Sequence, residues 1–116
     1  MNEELRQKLI EVARDAEVIT YNEIREIAGV GQFDIPASRK QIGDVLEEIC
    51  EYEHENGRPM LSAVVVSKGT GFPGGGFFDL AKRLGLMGRM ETQVTFFSKE
   101  LKKVHDYWCG YEDTVG

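Results

Sequence analysis

Cysteine is scarce in this chain. Cys50 and Cys109 are the only two, and neither stands in a Cys-x-x-Cys pair or in a Cys/His pattern of ligand spacing. That leaves no framework for a disulfide scaffold or a structural zinc site. Long apolar runs are absent too: none approaches the roughly 20 residues of a membrane-spanning helix. The opening residues, MNEELRQKL, lack the basic-then-apolar order of a secretory signal. A cytoplasmic protein with reduced thiols and no membrane partner is therefore expected. Positive charge is short: 14 Lys and Arg stand against 20 Asp and Glu, a net charge of −6. Such a balance argues against indiscriminate binding of nucleic acid. Repeats, low-complexity segments and linkers are missing.

Signatures of catalysis are missing as well. The glycine-rich stretch lacks the Gly-Lys-Ser/Thr ending of a phosphate loop. Ser62 has no neighbouring His or Asp in sequence to make it a nucleophile. Cys50 and His54 are four residues apart on one helix face, a spacing that metal pairs use, but no third or fourth ligand accompanies them. The expectation is a protein that is not an enzyme and holds neither cofactor nor metal.

What is present is an ordinary globular balance, 41% hydrophobic and 29% charged over 116 residues, the size of one domain (1–116). Charge is unevenly spread. Residues 44–67 carry six acids and one base, whereas 68–103 carry seven bases and three acids. A partner would be met by one face.

Asn2 caps a first helix whose Leu5, Leu9, Val12, Ala13 and Ala16 form one apolar stripe. Thr20 to Glu23 reads as a capping box, with Ile19 and Ile24 placed for a hydrophobic staple. The helix they open buries Ile24, Ile27 and Ala28 over about two and a half turns and stops at Gly29. After a turn from Gly29 to Ala37, Ser38 starts a second helix with Gln41 three residues on; Asp34 is a competing cap that would start it before Pro36. Ile42, Val45, Leu46 and Ile49 form its buried face. Arg39, Lys40 and Gln41 are exposed in its first turn, and Asp44, Glu47, Glu48 and Glu51 in the later ones. Residues 53–59 are a loop with an Asn56-Gly57 turn.

The chain is organised around the next stretch, RPMLSAVVVSKGTGFPGGGFF. Met60 to Val66 reads as a strand. Glycines at 69, 71, 74, 75 and 76 then demand a tight bend, as in a hairpin turn, or a close approach by something else. Phe77 to Leu86 is a third helix, with Phe77, Leu80, Ala81 and Leu84 inward and residues 85–88 ending it. Met90 to Phe96 is a strand or extended arm. Ser98 caps a last helix, with Leu101, Val104 and Trp108 on one face, and His105 and Trp108 read as packing. Helix, short helix, second helix, strand and loop is the order of a winged helix-turn-helix.

ITYNEIREIAG, SRKQIGDVL and VVVSKGTGFPGGGFFDLAKRLG, in that order, carry a family likeness. The segment Val18 to Leu86 resembles the DNA-binding, active-site domain of the alkylguanine-DNA alkyltransferases and of the alkyltransferase-like proteins, which lack the reactive cysteine. The resemblance places Tyr21 on the tyrosine that presses on the target phosphate and Lys40 on the arginine that fills the stack when a base is flipped out. The family's Pro-Cys-His-Arg falls on Met60, Leu61, Ser62 and Ala63, and the glutamate of its relay falls near Met87. Leucine cannot attack an alkyl carbon and no histidine stands beside it, so alkyl transfer is excluded.

The reading that follows is an α+β, winged helix-turn-helix-like domain: a core over 18–86 and a C-terminal extension over 90–116 that contains an extra helix. It is expected to bind duplex DNA through Tyr21, Ser38, Arg39, Lys40, Gln41, Lys68 and Lys82, with the wing from Lys68 to Gly76. The alternative is a protein-interaction module, adaptor or inhibitor, whose contact is the acidic helix face from Asp44 to Glu55. A pocket under the glycine loop for a nucleobase or another small ligand is a third option.

Overall fold

Four chain reversals in this protein use one device, and they set its architecture. A computed structural model describes residues 1–30 and 36–113. Helix α1 (Glu3–Arg14) is capped by the Asn2 side chain, which accepts from the Leu5 amide. It ends where the Glu17 amide bonds to Val12 O and the Ala16 amide to Ala13 O. The same pair of bonds closes the turn at Gly29, helix α3 (Pro36–Glu55) at Gly57 and helix α4 (Gly75–Arg83) at Gly85. Each pivot residue has a left-handed φ, 73–75° at the three glycines and 55° at Ala16. Such a C-terminal cap places its pivot in the left-handed region, which glycine enters freely and alanine does not. Ala16 is thus an exposed pivot, and not part of the buried stripe expected for it.

After α1 the chain makes strand β1 (Ile19–Thr20) and a single turn, α2 (Tyr21–Ile24). Thr20 Oγ1 accepts from the Glu23 amide at 3.3 Å and donates to the Glu23 carboxylate at 2.9 Å. The expected cap is present, but regular helix stops after one turn, and turns carry the chain on to Gly29. α3 begins at Pro36, earlier than Ser38, and runs through Glu55 into the segment expected to be loop. The Asn56-Gly57 pair is its C-terminal cap. Asp34, the competing cap, lies outside the described residues.

The expected strand from Met60 to Val66 is mostly something else. Leu61–Val64 form a 3-10 turn, and only Val65–Val66 are strand, β2, paired in parallel with β1 (Ile19 opposite Val65, Thr20 opposite Val66). Leu61, Ala63, Val64 and Val65 are completely buried in the core, packed against α1, α3 and α5 (Gln93–Asp113). A run apolar on every side suits a buried turn as well as a buried strand, and periodicity cannot separate them. The segment 90–96 is likewise corrected. It is not a strand or arm; α5 starts at Gln93, capped by Thr92, whose hydroxyl accepts from the Thr95 amide at 3.1 Å, and not by Ser98. α4 starts two residues before Phe77 and ends at Arg83.

The result is an α+β fold, mostly helical, with five helices and a two-stranded sheet among the described residues. Leu5 and Leu9 of α1, Ile42 and Ile49 of α3, the 3-10 turn and Val104 of α5 share one core. Phe77 of α4 meets Phe96 and Phe97 of α5 with ring centroids 5.8 and 6.4 Å apart. Among the described residues no helix is long and apolar enough to cross a membrane.

Candidate functional site

The glycine stretch becomes a site because three elements hold it open. Its turn closes on itself: the Ser67 amide donates to Phe72 O, and the Gly71 amide to Ser67 O, both at 2.8 Å. The Phe72 ring lies edge-on to Phe97 at 5.4 Å and so pins the loop to α5. Tyr21, 53 residues back in sequence, accepts the Gly74 amide on its phenol oxygen at 2.7 Å. Burial raises the Tyr21 pKa above its ordinary value of 10.0, against the lowering effect of that amide, so the phenol is neutral. Between this loop, the start of α4 and the first turns of α3 lies a cleft of about 610 Å³.

Of the expected site residues, Tyr21, Arg39 and Lys40 line the cleft. Arg39, Lys40 and Gln41 are exposed on the first turns of α3, with Gln41 outside the cleft lining. Lys40 is tied to Asp44 one turn on, at 3.1 Å. Ser38 is buried, which removes it from an exposed contact surface. Lys68 is exposed one residue beyond Ser67, which lines the cleft, and Lys82 is exposed on α4 away from it.

Of the four positions that the family likeness gives to the reactive motif, Ser62 alone is in the cleft lining. Met60, Leu61 and Ala63 are buried, and Ser62 touches the cleft while bonding to Cys50: the Cys50 thiol donates to Ser62 Oγ at 3.0 Å. Burial pushes the Cys50 thiol up to about 11, with the Ser62 bonds opposing that rise. A buried thiol held protonated is a poor nucleophile. Met87 is half-buried against the core. Cys50 and His54 do not form one site, since Cys50 is buried and His54 exposed. Among the described residues, no group of three or more His, Cys, Asp and Glu is placed to hold a metal ion.

The acidic face of α3 is partly neutralised. Arg83 reaches across from α4 to Glu47 and to Glu51, and the N-terminal ammonium lies 3.7 Å from Glu48. Glu53, expected in a loop, is fully buried between Arg6 and Arg58. Arg58 is only five residues from Glu53, but Arg6, 47 residues away, completes the arrangement, and no local signal marks that. Gly43 also lines the cleft. It is missing from the residues expected at the site, although a glycine inside a helix is a signal that the sequence does carry.

Compared with known protein families, with curated proteins and with solved structures, the chain finds no match.

Proposed function

We propose that this protein is a non-enzymatic DNA-binding protein of winged helix-turn-helix type, in which α2 and α3 are the helix pair, α3 is the recognition helix and residues 68–76 act as the wing. One observation carries the reading. Tyr21, Lys40 and the glycine run, distant in sequence, meet around a single cleft at the start of α3, as the alkyltransferase likeness requires. Arg39, Lys40 and Gln41 are exposed in the first turns of that helix, where recognition helices meet base edges and phosphates. Lys68 and Lys82 supply further contacts to the backbone. Binding through Lys40 first separates it from Asp44, an exposed pair worth about 0–1 kcal/mol, so the pair is no obstacle. Alkyl transfer is not part of the function. Leu61 stands at the nucleophile position, and Cys50 is buried and protonated.

The net charge of −6 repels DNA away from these few cations, so binding should be weak, and salt-dependent in proportion to the few phosphates neutralised. Fluorescence anisotropy with random duplex, single-stranded and alkylated duplex DNA at two salt concentrations tests this. Wild-type protein should prefer duplex. Lys40→Ala should weaken binding and flatten the slope of log K against log salt by about 0.9, the effect of removing one phosphate neutralisation. Lys40→Ala with Lys68→Ala should abolish binding at moderate salt. If the wild type shows no salt-dependent binding to any of the three at high micromolar concentration, the DNA reading is refuted and the acidic face of α3 becomes the lead.

A further inference from the structure

A second cavity, of about 530 Å³, lies away from the glycine loop and shares no lining residue with the first. Its walls are the turn that ends α3, Leu86 just past the Gly85 pivot, and the face of α5 that carries Glu100, Lys103 and Tyr107 at helical spacing. The volume is in the range of small-molecule sites.

Glu100 is the group that the fold leaves incomplete. Its side chain is 4% exposed, yet it lines the cavity. One carboxylate oxygen, Oε2, accepts the Met60 amide at 2.9 Å. The other, Oε1, has the Lys103 ammonium at 3.8 Å, beyond hydrogen-bond reach, and no other described residue bonds to it. A buried carboxylate is costly unless donors satisfy it, so an open acceptor facing a cavity calls for a donor from outside.

Positive charge lines the same cavity. Arg6 and Arg58 divide the single charge of Glu53, and Arg6 also has Glu3 at 3.6 Å, so the surplus falls on Arg58, in the cavity wall. Lys103 is 67% exposed and long enough to swing toward an anion. Asp106 adds little, since Lys102 holds it at 2.8 Å. A purely cationic ligand is repelled by Arg58 and Lys103, and a purely anionic one by Glu100. A ligand that carries both charges close together meets neither penalty. Pro59, Leu86 and Tyr107 add an apolar wall, on which Leu86 is 37% and Tyr107 39% exposed.

We propose that this cavity binds a free α-amino acid with an apolar side chain. Glu100 accepts from its ammonium, Arg58 and Lys103 hold its carboxylate, and Pro59, Leu86 and Tyr107 cover its side chain. The two cavities have no residue in common, so this site and DNA binding can each fail alone.

Titration of the isotope-labelled full chain with L-leucine and with L-phenylalanine, followed by amide NMR shifts, tests it. Saturable shifts at Gly57, Leu86 and Lys103 are expected with at least one of the two at millimolar concentration. Leucinamide lacks the carboxylate and N-acetylleucine lacks the ammonium, and each should bind at least about tenfold more weakly than leucine. Glu100→Gln keeps an oxygen for the Met60 amide but loses the charge, and should weaken leucine binding about tenfold. Lys103→Gln should weaken it as well while leaving the melting temperature within about 2 °C, which a lysine serving only as counter-ion to a buried acid would not do. If Glu100→Gln does not fold, the ligand series and Lys103→Gln still decide. The proposal is overturned by absence of saturable shifts with either amino acid at high millimolar concentration. It is overturned equally if leucinamide or N-acetylleucine binds as tightly as leucine, or if Lys103→Gln binds leucine as the wild type does.

Discussion

Removing the Glu53 carboxylate should be among the most damaging single changes in this protein. Its side chain is 0% exposed, and those of Arg6 and Arg58 are 12% and 17% exposed. Arg6 donates to it at 3.0 and 3.2 Å, and Arg58 at 2.8 and 3.3 Å. Both guanidinium groups also lie over the Tyr52 ring, at 5.1 and 5.4 Å from its centroid. The bonds to Glu53 are the largest cause raising both arginine pKa values. Hydrogen bonds to charged groups contribute about 1.5–3 kcal/mol each. Their sum overstates the loss, because in Glu53→Ala the desolvation of the carboxylate is also recovered and the arginines regain some water. Breaking a buried pair from one side costs about 3–5 kcal/mol. At about 4 °C per kcal/mol for a chain of this size, the melting temperature should fall by about 12–20 °C. Thermal melts measure that fall, and urea titrations the free-energy loss, in wild type, Glu53→Ala and the triple change Arg6→Met, Glu53→Leu, Arg58→Met. The triple change should recover much of the loss, since it leaves no charge stranded. A loss under about 1 kcal/mol in Glu53→Ala would refute the reasoning, for the cluster would then behave as a hydrated surface pair.

Four further changes test the local arguments. Ala16→Gly should stabilise the protein by about 0.5–1 kcal/mol, read from denaturant midpoints, because it relieves a left-handed alanine whose methyl group is exposed; destabilisation would mean that the α1 reversal is not as described. Thr20→Ala should cost about 1 kcal/mol by stranding the Glu23 amide, and an unchanged melting temperature would place the start of α2 elsewhere. Tyr21→Phe removes the acceptor of the Gly74 amide and should cost about 0.5–1.5 kcal/mol, with faster hydrogen exchange at Gly74; slow exchange there would show that the phenol does not hold the loop. Cys50 titrates at about 11 in the fold against an ordinary 9.0, so the unfolded chain releases that proton first and stability should fall as pH rises between those values. The fall should be smaller in Cys50→Ala, and equal slopes in the two proteins would remove the thiol as its cause.

The sequence by itself determined whatever depends on neighbours three to five residues away. Asn2 and Thr20 are caps because a side-chain oxygen at that spacing meets an orphan amide, and Gly29 and Gly85 end segments because a left-handed pivot closes the same bonds wherever it occurs. The apolar stripes of α1 and α3 follow from helical spacing in the same way, and the residues around the cleft, Tyr21, Arg39, Lys40 and the glycine run, could be named, though not their meeting. Tertiary structure alone decided the rest. Met60 to Val66 is β-rich in sequence, yet most of it is a 3-10 turn, because burial against three helices leaves it no strand partner beyond Ile19 and Thr20. Glu53 and Glu100 look like solvated acids until the partners that permit their burial come into place, Arg6 at a separation of 47 residues and the Met60 amide at 40. Ser62 and Cys50 become a hydrogen-bonded pair only when the turn packs on α3. A charge or a thiol is buried only where distant groups satisfy it, and those groups are brought together by the fold.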